Sequence, residues 1–259
     1  MRIEALPFVN WIFWASLTSG TLLMVGGTLW LGGTTRGYGL FMAWFTAALA
    51  ALLLLSELNL PPGTIADATA DARRWLVVGT ALLAAAHLLT TALRAPRAGL
   101  ALLGGCIGLA ALVTLALAGG TRSAALFAVQ LGLASLVLGS VTAAMLLGHW
   151  YLVTPRLSPV PLRRLISAAF IALGAQALAF GIALLAVGSE PLAGSIGWLA
   201  WLRLVVGTLM PIGIVALAML ASRAASLQAS TGLLYIGLAL VMAGCIAGSS
   251  LAYLTGVPV

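Results

Sequence analysis

The sequence predicts an all-α integral membrane protein with eight transmembrane helices, and two observations carry that prediction. Hydrophobic residues make up 63% of the 259 residues, charged residues make up only 7%, and the mean hydropathy is +1.17. A water-soluble domain carries about a quarter charged residues, so most of this surface must face lipid. The apolar residues are also gathered in runs of about 20, which is the length that crosses roughly 30 Å of hydrocarbon as a helix. Helices are expected because backbone polar groups in lipid must be bonded within their own segment.

The predicted spans cover most of the chain, and we expect residues 1–259 to form a single transmembrane domain. Their boundaries are 8–32, 38–56, 75–93, 98–119, 124–153, 165–187, 196–221 and 231–254. The first run has no small-residue cleavage site, so it is expected to be a retained helix. The connections are short except for 56–74, which carries two prolines, a glycine and three acids. No segment is long enough for a separate soluble domain, so any soluble redox or nucleotide-binding partner must be another chain.

The placement of arginine predicts the orientation in the membrane. All positive side-chain charge comes from 12 arginines scattered between apolar runs, a pattern typical of topology signals and not of nucleic-acid binding. The side with the termini has Arg2, Arg73, Arg74 and Arg122. The opposite side has Arg36, Arg94, Arg97, Arg156, Arg163, Arg164 and Arg223. Because arginine is enriched on the cytoplasmic side, both termini are predicted to lie outside a bacterial inner (cytoplasmic) membrane.

Two pairs of similar segments suggest a parallel internal repeat of four plus four helices. The fourth span reads "GLALLGGCIGLAALVTLALAG" and the eighth reads "GLALVMAGCIAGSSLAYLTGV", and each contains one of the two cysteines. The third span has "WLVVGT" and the seventh has "WLRLVVGT". The offsets of about 138 and 128 residues are similar, and parallel repeats are known in transporters.

The two histidines are the first candidate ligands. His87 and His149 each lie seven residues before an arginine at the same predicted end of two parallel helices. Seven helical residues span about 10 Å, so the two imidazoles should lie at similar depth. Haem iron takes histidine as an axial ligand, so the pair predicts a b-type haem, with a quinone or no cofactor as the alternatives.

Other residues around the histidines leave further interpretations open. Trp150 and Tyr151 follow His149 directly, so these three residues can also form an aromatic belt at the membrane surface. His87 can then be a helix-packing residue that hydrogen-bonds a neighbouring span. A copper site is a weaker alternative, with Met145 on the same helix face as His149 and Cys106 at similar depth.

Arg203 is the third ionisable residue predicted within a span. Charged groups at depth are costly and mark functional sites. Glu57 ends the second span on the same side, so Arg203 is expected to form an ion pair with Glu57, to bind an anionic ligand, or to extend to the membrane surface. Pro211 further along this span predicts a kink.

The stretches "WLRLVVGTLMPIG" and "STGLLYIGLALVMAGCIAGSSLAYLTGVPV" resemble the last two helices of the membrane-anchor subunits of polysulfide and dimethyl sulfoxide reductases. Those subunits are bundles of about eight helices that oxidise quinol for an attached iron–sulfur subunit. The resemblance covers roughly a fifth of the chain. In that family the last helix carries an acidic residue followed by arginine after its glycine, whereas here Gly244 is followed by Cys245, Ile246 and Ala247.

These observations favour a membrane subunit of a respiratory or photosynthetic electron-transfer complex, not catalytic on its own. It is expected to bind haem b or quinone near His87 and His149, and its partners are expected to be the lipid bilayer and other membrane or redox subunits. One alternative is a structural or assembly subunit without a cofactor. The other is a small-solute transporter or facilitator, although the spans carry no mid-membrane carboxylate for ion coupling. The sequence has no Gly-rich phosphate loop, HExxH or GxSxG motif.

Overall fold

The computed structural model describes residues 6–61, 69–118, 123–154, 157–188 and 192–256, and confirms the eight predicted spans. Within these residues the fold is all-α. The helices are α1 (Leu6–Leu31), α2 (Arg36–Leu58), α3 (Ala70–Ala92), α4 (Ala98–Leu117), α5 (Ala124–Val153), α6 (Val160–Val187), α7 (Gly197–Trp201), α8 (Met210–Arg223) and α9 (Leu227–Thr255). A π-helical segment, Leu202–Leu209, joins α7 to α8, so the three together form the seventh span. Arg2, Arg122, Arg156 and Glu190 lie outside the described residues.

Two helices, α3 and α6, begin five residues earlier than the hydrophobic pattern predicts. α3 begins at Ala70, because Arg73 is buried against α2 and this polar turn therefore stays helical. α6 begins at Val160, where Pro161 occupies a first-turn position that has no helical use for a backbone N–H. Hydropathy alone therefore places both boundaries too late.

The eight spans form two four-helix bundles with the same cyclic order of contacts. In the first bundle, α1 and α3 each pack against α2 and α4. In the second, α5 and the seventh span each pack against α6 and α9. This is the order that a four-plus-four arrangement requires, and the repeat itself stays a prediction. We call the end with Leu6 and Gly256 the terminal end and the opposite end the arginine-rich end.

The two bundles meet where α1 crosses α5. α1 is the most buried span, with 78% of its central window inside the protein, against 28–56% in the others. A Cβ on Gly20 would overlap the carbonyl of Ser135, and a Cβ on Gly139 would overlap the backbone of Gly20. Close backbone approach at small residues is the usual basis of helix packing in membranes. Gly20 and Gly139 therefore determine how closely the bundles join.

A buried ion pair joins α2 to α3 near the terminal end. Glu57 is 2% exposed and Arg73 is 3% exposed. Arg73 Nε donates to Glu57 Oε1 and Oε2 at 3.2 and 3.1 Å, and Nη2 donates to Oε1 at 3.1 Å. The Arg73 guanidinium also lies 5.7 Å from the centre of the Trp11 ring. Charge-assisted bonds of this kind offset the cost of burying two charges.

The contact between the bundles can be tested with Gly139→Leu. The new side chain would push α5 away from α1, and overpacking of this kind costs about 1–3 kcal/mol. Gly132→Leu on the same helix is the matched control, because a Cβ at Gly132 meets no atom within 4 Å. We expect a clearly lower thermal unfolding midpoint for Gly139→Leu than for Gly132→Leu in detergent, measured by tryptophan fluorescence. Equal midpoints would contradict the central role of this contact.

The ion pair can be tested with Glu57→Gln. This change leaves the Arg73 charge buried without its carboxylate, and loss of one partner of a buried pair costs about 3–5 kcal/mol. Replacing both residues, as Glu57→Gln with Arg73→Met, removes the stranded charge and should restore part of the loss. The measurement is the free energy of unfolding in a denaturing detergent titration, and a Glu57→Gln variant as stable as the parent would rule the argument out.

Candidate functional site

His87 lies inside the first bundle. Its side chain is 0% exposed and belongs to the buried stripe of α3 that also carries Thr80, Ala84 and Thr91. Neither ring nitrogen of His87 has a hydrogen-bond partner among the described residues, and the same holds for Thr91 Oγ1. The Arg97 backbone just before α4 interacts with the imidazole, but not in hydrogen-bond geometry. A buried imidazole with two unpaired nitrogens indicates a missing partner.

His149 lies on the outer surface of the second bundle. Its side chain is exposed, and its ring packs edge-on against Tyr235 of α9, with ring centres 6.3 Å apart. His149 Nδ1 and Tyr235 Oη are 3.2 Å apart, a hydrogen-bond distance. His149 therefore has a partner at the helix surface and does not point into the bundle.

The structure does not bring His87 and His149 together. α3 packs against α2 and α4, whereas α5 packs against α1, α4, α6 and α9. One imidazole is enclosed in the first bundle and the other faces outward from the second. As arranged, the two histidines do not fit one haem as a pair of axial ligands. Haem binding stays a prediction, and His87 and His149 do not serve it as a pair of ligands.

Trp150 and Tyr151 hold together the arginine-rich end. Trp150 Nε1 donates to Thr35 Oγ1 at 3.1 Å, and its ring stacks with Phe41 at 6.1 Å. Tyr151 Oη donates to the Ser158 carbonyl at 2.7 Å. These contacts tie α5 to the start of α2 and to the connection before α6. Tyr151 is only 5% exposed, and the aromatic-belt interpretation of this segment stays a prediction.

The candidate copper ligands also lie apart, in different surroundings. Met145 is 7% exposed within the core, whereas Cys106 is exposed on α4 and His149 is exposed on α5. Over the described ranges, no group of three or more His, Cys, Asp or Glu side chains could hold a metal ion.

Arg203 is the buried cation that the structure leaves without an acid. Its side chain is 4% exposed, so it does not extend to the membrane surface. The expected pair with Glu57 is wrong, because Glu57 binds Arg73. Arg203 has no ion-pair partner among the described residues, and its Nε is buried without a hydrogen bond. After Asp71, the sequence contains a single acidic residue, Glu190, which is outside the described part of the chain.

Two glycines of α9 create the space for Arg203. A Cβ on Gly248 would overlap the Arg203 guanidinium, so this side chain lies directly on the α9 backbone. One turn away, Gly207 and Gly244 touch backbone to backbone. The contact brings the seventh span close enough for the guanidinium to lie between it and α9. Cys245 and Ser249 are the buried neighbours on α9, and Ser249 Oγ donates to the Cys245 carbonyl at 2.9 Å.

The π-helical segment turns Arg203 inward. In an α-helix, residues five apart point about 140° away from each other. In α3, Thr80 is buried and Trp75, five residues earlier, is 74% exposed. In the corresponding segment of the seventh span, Thr208 and Arg203 are both buried, because an i to i+5 pattern places residues five apart on the same face.

Two hydrogen bonds stabilise the π-helical segment that carries Arg203. Thr208 Oγ1 donates to the Arg203 carbonyl at 3.0 Å, and Gln176 Nε2 of α6 donates to Thr208 Oγ1 at 2.9 Å. Gln176 is 6% exposed. An α6 side chain therefore fixes the backbone that carries Arg203, which is the usual support that a functional arginine needs.

Gln130 is a second buried donor of the second bundle without a hydrogen bond among the described residues. Gln130 of α5 is 6% exposed, and its Nε2 has no partner in the described structure. Gln130 lies six residues from the start of α5, as Arg203 does from the start of α7, so both are about 9 Å from the terminal end. Four residues before Gln130, Leu126 packs against the apolar cluster of Phe180, Leu199 and Leu251. We define the Arg203 site as Arg203, Cys245, Gly248 and Ser249.

The sequence predicted Arg203 but not the residues around it. The signal for the α9 side of the site is the spacing Gly237, Gly244 and Gly248 along one face, which indicates close approach of another helix. Gln130 and Gln176 were missed, although an amide inside an apolar run is a signal by which they could have been found. The π-helical segment has no sequence signal of comparable strength.

No known protein is found to be similar to this chain. No family model matches the sequence, and no match is found among curated proteins or solved structures.

Proposed function

We propose that this integral membrane protein is a subunit of an electron-transfer complex and that it binds the headgroup of a quinone at the Arg203 site. The observation that carries the proposal is the buried Arg203 guanidinium, which has no acidic partner among the described residues. An ionisable residue inside a span marks a functional site by default, and its natural partner is an oxygen-rich acceptor.

The surroundings of Arg203 suit a flat headgroup with two carbonyl oxygens. The guanidinium would donate to one oxygen, and the Gln130 carboxamide is the second unpaired donor at the same depth. The apolar cluster of Phe180, Leu199 and Leu251 would enclose the ring and exclude water. A bound quinone would supply two-electron redox chemistry, while the residues of this chain bind and orient it.

Access from the bilayer favours a lipid-soluble ligand over a water-soluble anion. The seventh span is only 28% buried over its central window, one of the two lowest values of the eight spans. Its Trp198, Trp201 and Val205 are 60%, 50% and 38% exposed, respectively. A ligand dissolved in the hydrocarbon can therefore contact the outer face of this span, and it would have to pass between the spans to reach the guanidinium on α9.

The position of the resemblance supports the same site. The seventh span and α9 are the two segments that resemble the quinol-interacting anchor subunits. The arginine that those subunits carry on the last helix is missing here, but Arg203 reaches across from the seventh span to Gly248 of α9. A guanidinium therefore lies beside the last helix in spite of the sequence departure.

Quinone binding can be measured by titrating the nanodisc-embedded protein with a short-chain quinone and following tryptophan fluorescence. We expect Arg203→Gln to weaken binding about tenfold or more, because a hydrogen bond to a charged group contributes about 1.5–3 kcal/mol. Arg223→Gln is the matched control, since Arg223 is an exposed arginine of the same span. Gly248→Ala, whose Cβ displaces the guanidinium, should weaken binding while the charge remains.

Equal affinity in Arg203→Gln and Arg223→Gln would overturn the proposal. The cofactor-free structural subunit and the small-solute facilitator would then be the leading functions. The two-bundle order of contacts supports the facilitator in that case.

His87 favours haem b as a second candidate cofactor, because both of its ring nitrogens are unpaired. The test is a reduced-minus-oxidised optical spectrum of the parent, His87→Ala and His149→Ala. Since the two imidazoles lie in different environments, we expect a haem band that is lost in His87→Ala and kept in His149→Ala. A band lost in both variants would establish the pair as axial ligands and contradict the geometry described above.

A further inference from the structure

We infer that the groove between α1 and α6 at the arginine-rich end binds one anionic phospholipid, with an acyl chain in the groove and the phosphate on Arg164. This inference is independent of the proposed function. The groove is lined mainly by Leu23, Met24, Gly27, Leu31, Leu165 and Ala168. Its volume is about 130 Å³, which is room for a stretch of hydrocarbon chain and is smaller than the roughly 300–1,000 Å³ of a cleft that encloses a whole drug-sized ligand.

The groove exists because side chains are missing where α1 faces α6. A Cβ on Gly27 would meet no atom within 4 Å, and Gly32, at the end of α1, also lacks a side chain. Pro161 in the first turn of α6 forms part of the opposite wall. The walls are almost entirely apolar, so a hydrocarbon chain is the occupant that they match.

Arg164 lies at the end of this groove with most of its donors free. It is exposed, and its only hydrogen bond among the described residues is a long one, 3.4 Å from Nη1 to the Leu31 carbonyl. Its neighbour Arg163 is different, because its Nη2 donates to the Ser222 carbonyl at 2.8 Å and so holds α6 to α8. Arg163 therefore has a structural role, and Arg164 is the arginine available to a ligand.

The charge around the groove selects an anionic headgroup. Arg36, Arg94, Arg97 and Arg223 share this end of the molecule, and it carries no acid among the described residues. A guanidinium binds phosphate through two parallel hydrogen bonds, and basic pockets between transmembrane helices are typical binding places for anionic lipid headgroups. The apolar groove and the single available arginine thus match the two parts of one lipid molecule.

Lipid binding to the delipidated full-length protein in detergent can be measured by native mass spectrometry. The probes are phosphatidylglycerol, phosphatidylcholine and inorganic phosphate. We expect phosphatidylglycerol to bind about tenfold more tightly than phosphatidylcholine, and phosphate alone not to bind. Arg164→Gln should lower phosphatidylglycerol affinity about tenfold, because one charge-assisted interaction is lost.

Two further variants separate the groove from general surface charge. Gly27→Leu fills the groove without a clash and leaves Arg164 in place, so it should weaken phosphatidylglycerol binding about as much as Arg164→Gln. Arg97→Gln, an exposed arginine at the same end, should leave binding unchanged. Equal binding of both lipids, full binding by Gly27→Leu, or an equal loss in Arg97→Gln would each overturn the inference. Quinone affinity should be unaffected by Arg164→Gln, so the two proposals fail separately.

Discussion

The fold depends on the close approach of α1 and α5 at Gly20 and Gly139. Hydrocarbon surrounds the protein, so burial of apolar side chains gives the helices little reason to associate. Close backbone packing must supply the attraction instead, and it requires positions without side chains. The α1–α5 contact joins the two bundles. The Gly207–Gly244 contact is a similar close backbone approach inside the second bundle. The second contact also brings Arg203 onto α9.

The two bundles treat a buried arginine in opposite ways. In the first, Arg73 is held by the Glu57 carboxylate and packs near Trp11, so its charge is balanced within the chain. In the second, Arg203 lies at comparable depth without a carboxylate among the described residues. The first arrangement is complete without a ligand, whereas the described residues of the second supply no acid for its arginine. This difference distinguishes a structural arginine from a candidate binding residue.

Hydrophobicity made the eight spans predictable, because a run of about 20 apolar residues has few structures available to it in lipid. The site was harder to predict. Arg203 was visible as a charge at depth, but the predicted partner Glu57 was wrong because Arg73 was taken for a loop residue. Hydropathy cannot show that a polar turn is helical and buried when its partner lies on another span. A shared depth of His87 and His149 was predicted from the sequence, whereas their placement in separate environments follows from helix contacts that no local pattern encodes.

The π-helical segment has a consequence for how the bilayer acts on this protein. If residues 202–209 relaxed to α-helical geometry while Thr208 stayed buried, Arg203 would rotate to the face that Trp75 occupies on α3, which is the face toward hydrocarbon. An arginine exposed to hydrocarbon costs about 2.5–3.5 kcal/mol at the centre of a bilayer and less toward its surface. The surrounding lipid therefore opposes the change of residues 202–209 from π-helical to α-helical geometry. The π-helical segment is stable because an α-helix in its place would expose the Arg203 charge to hydrocarbon.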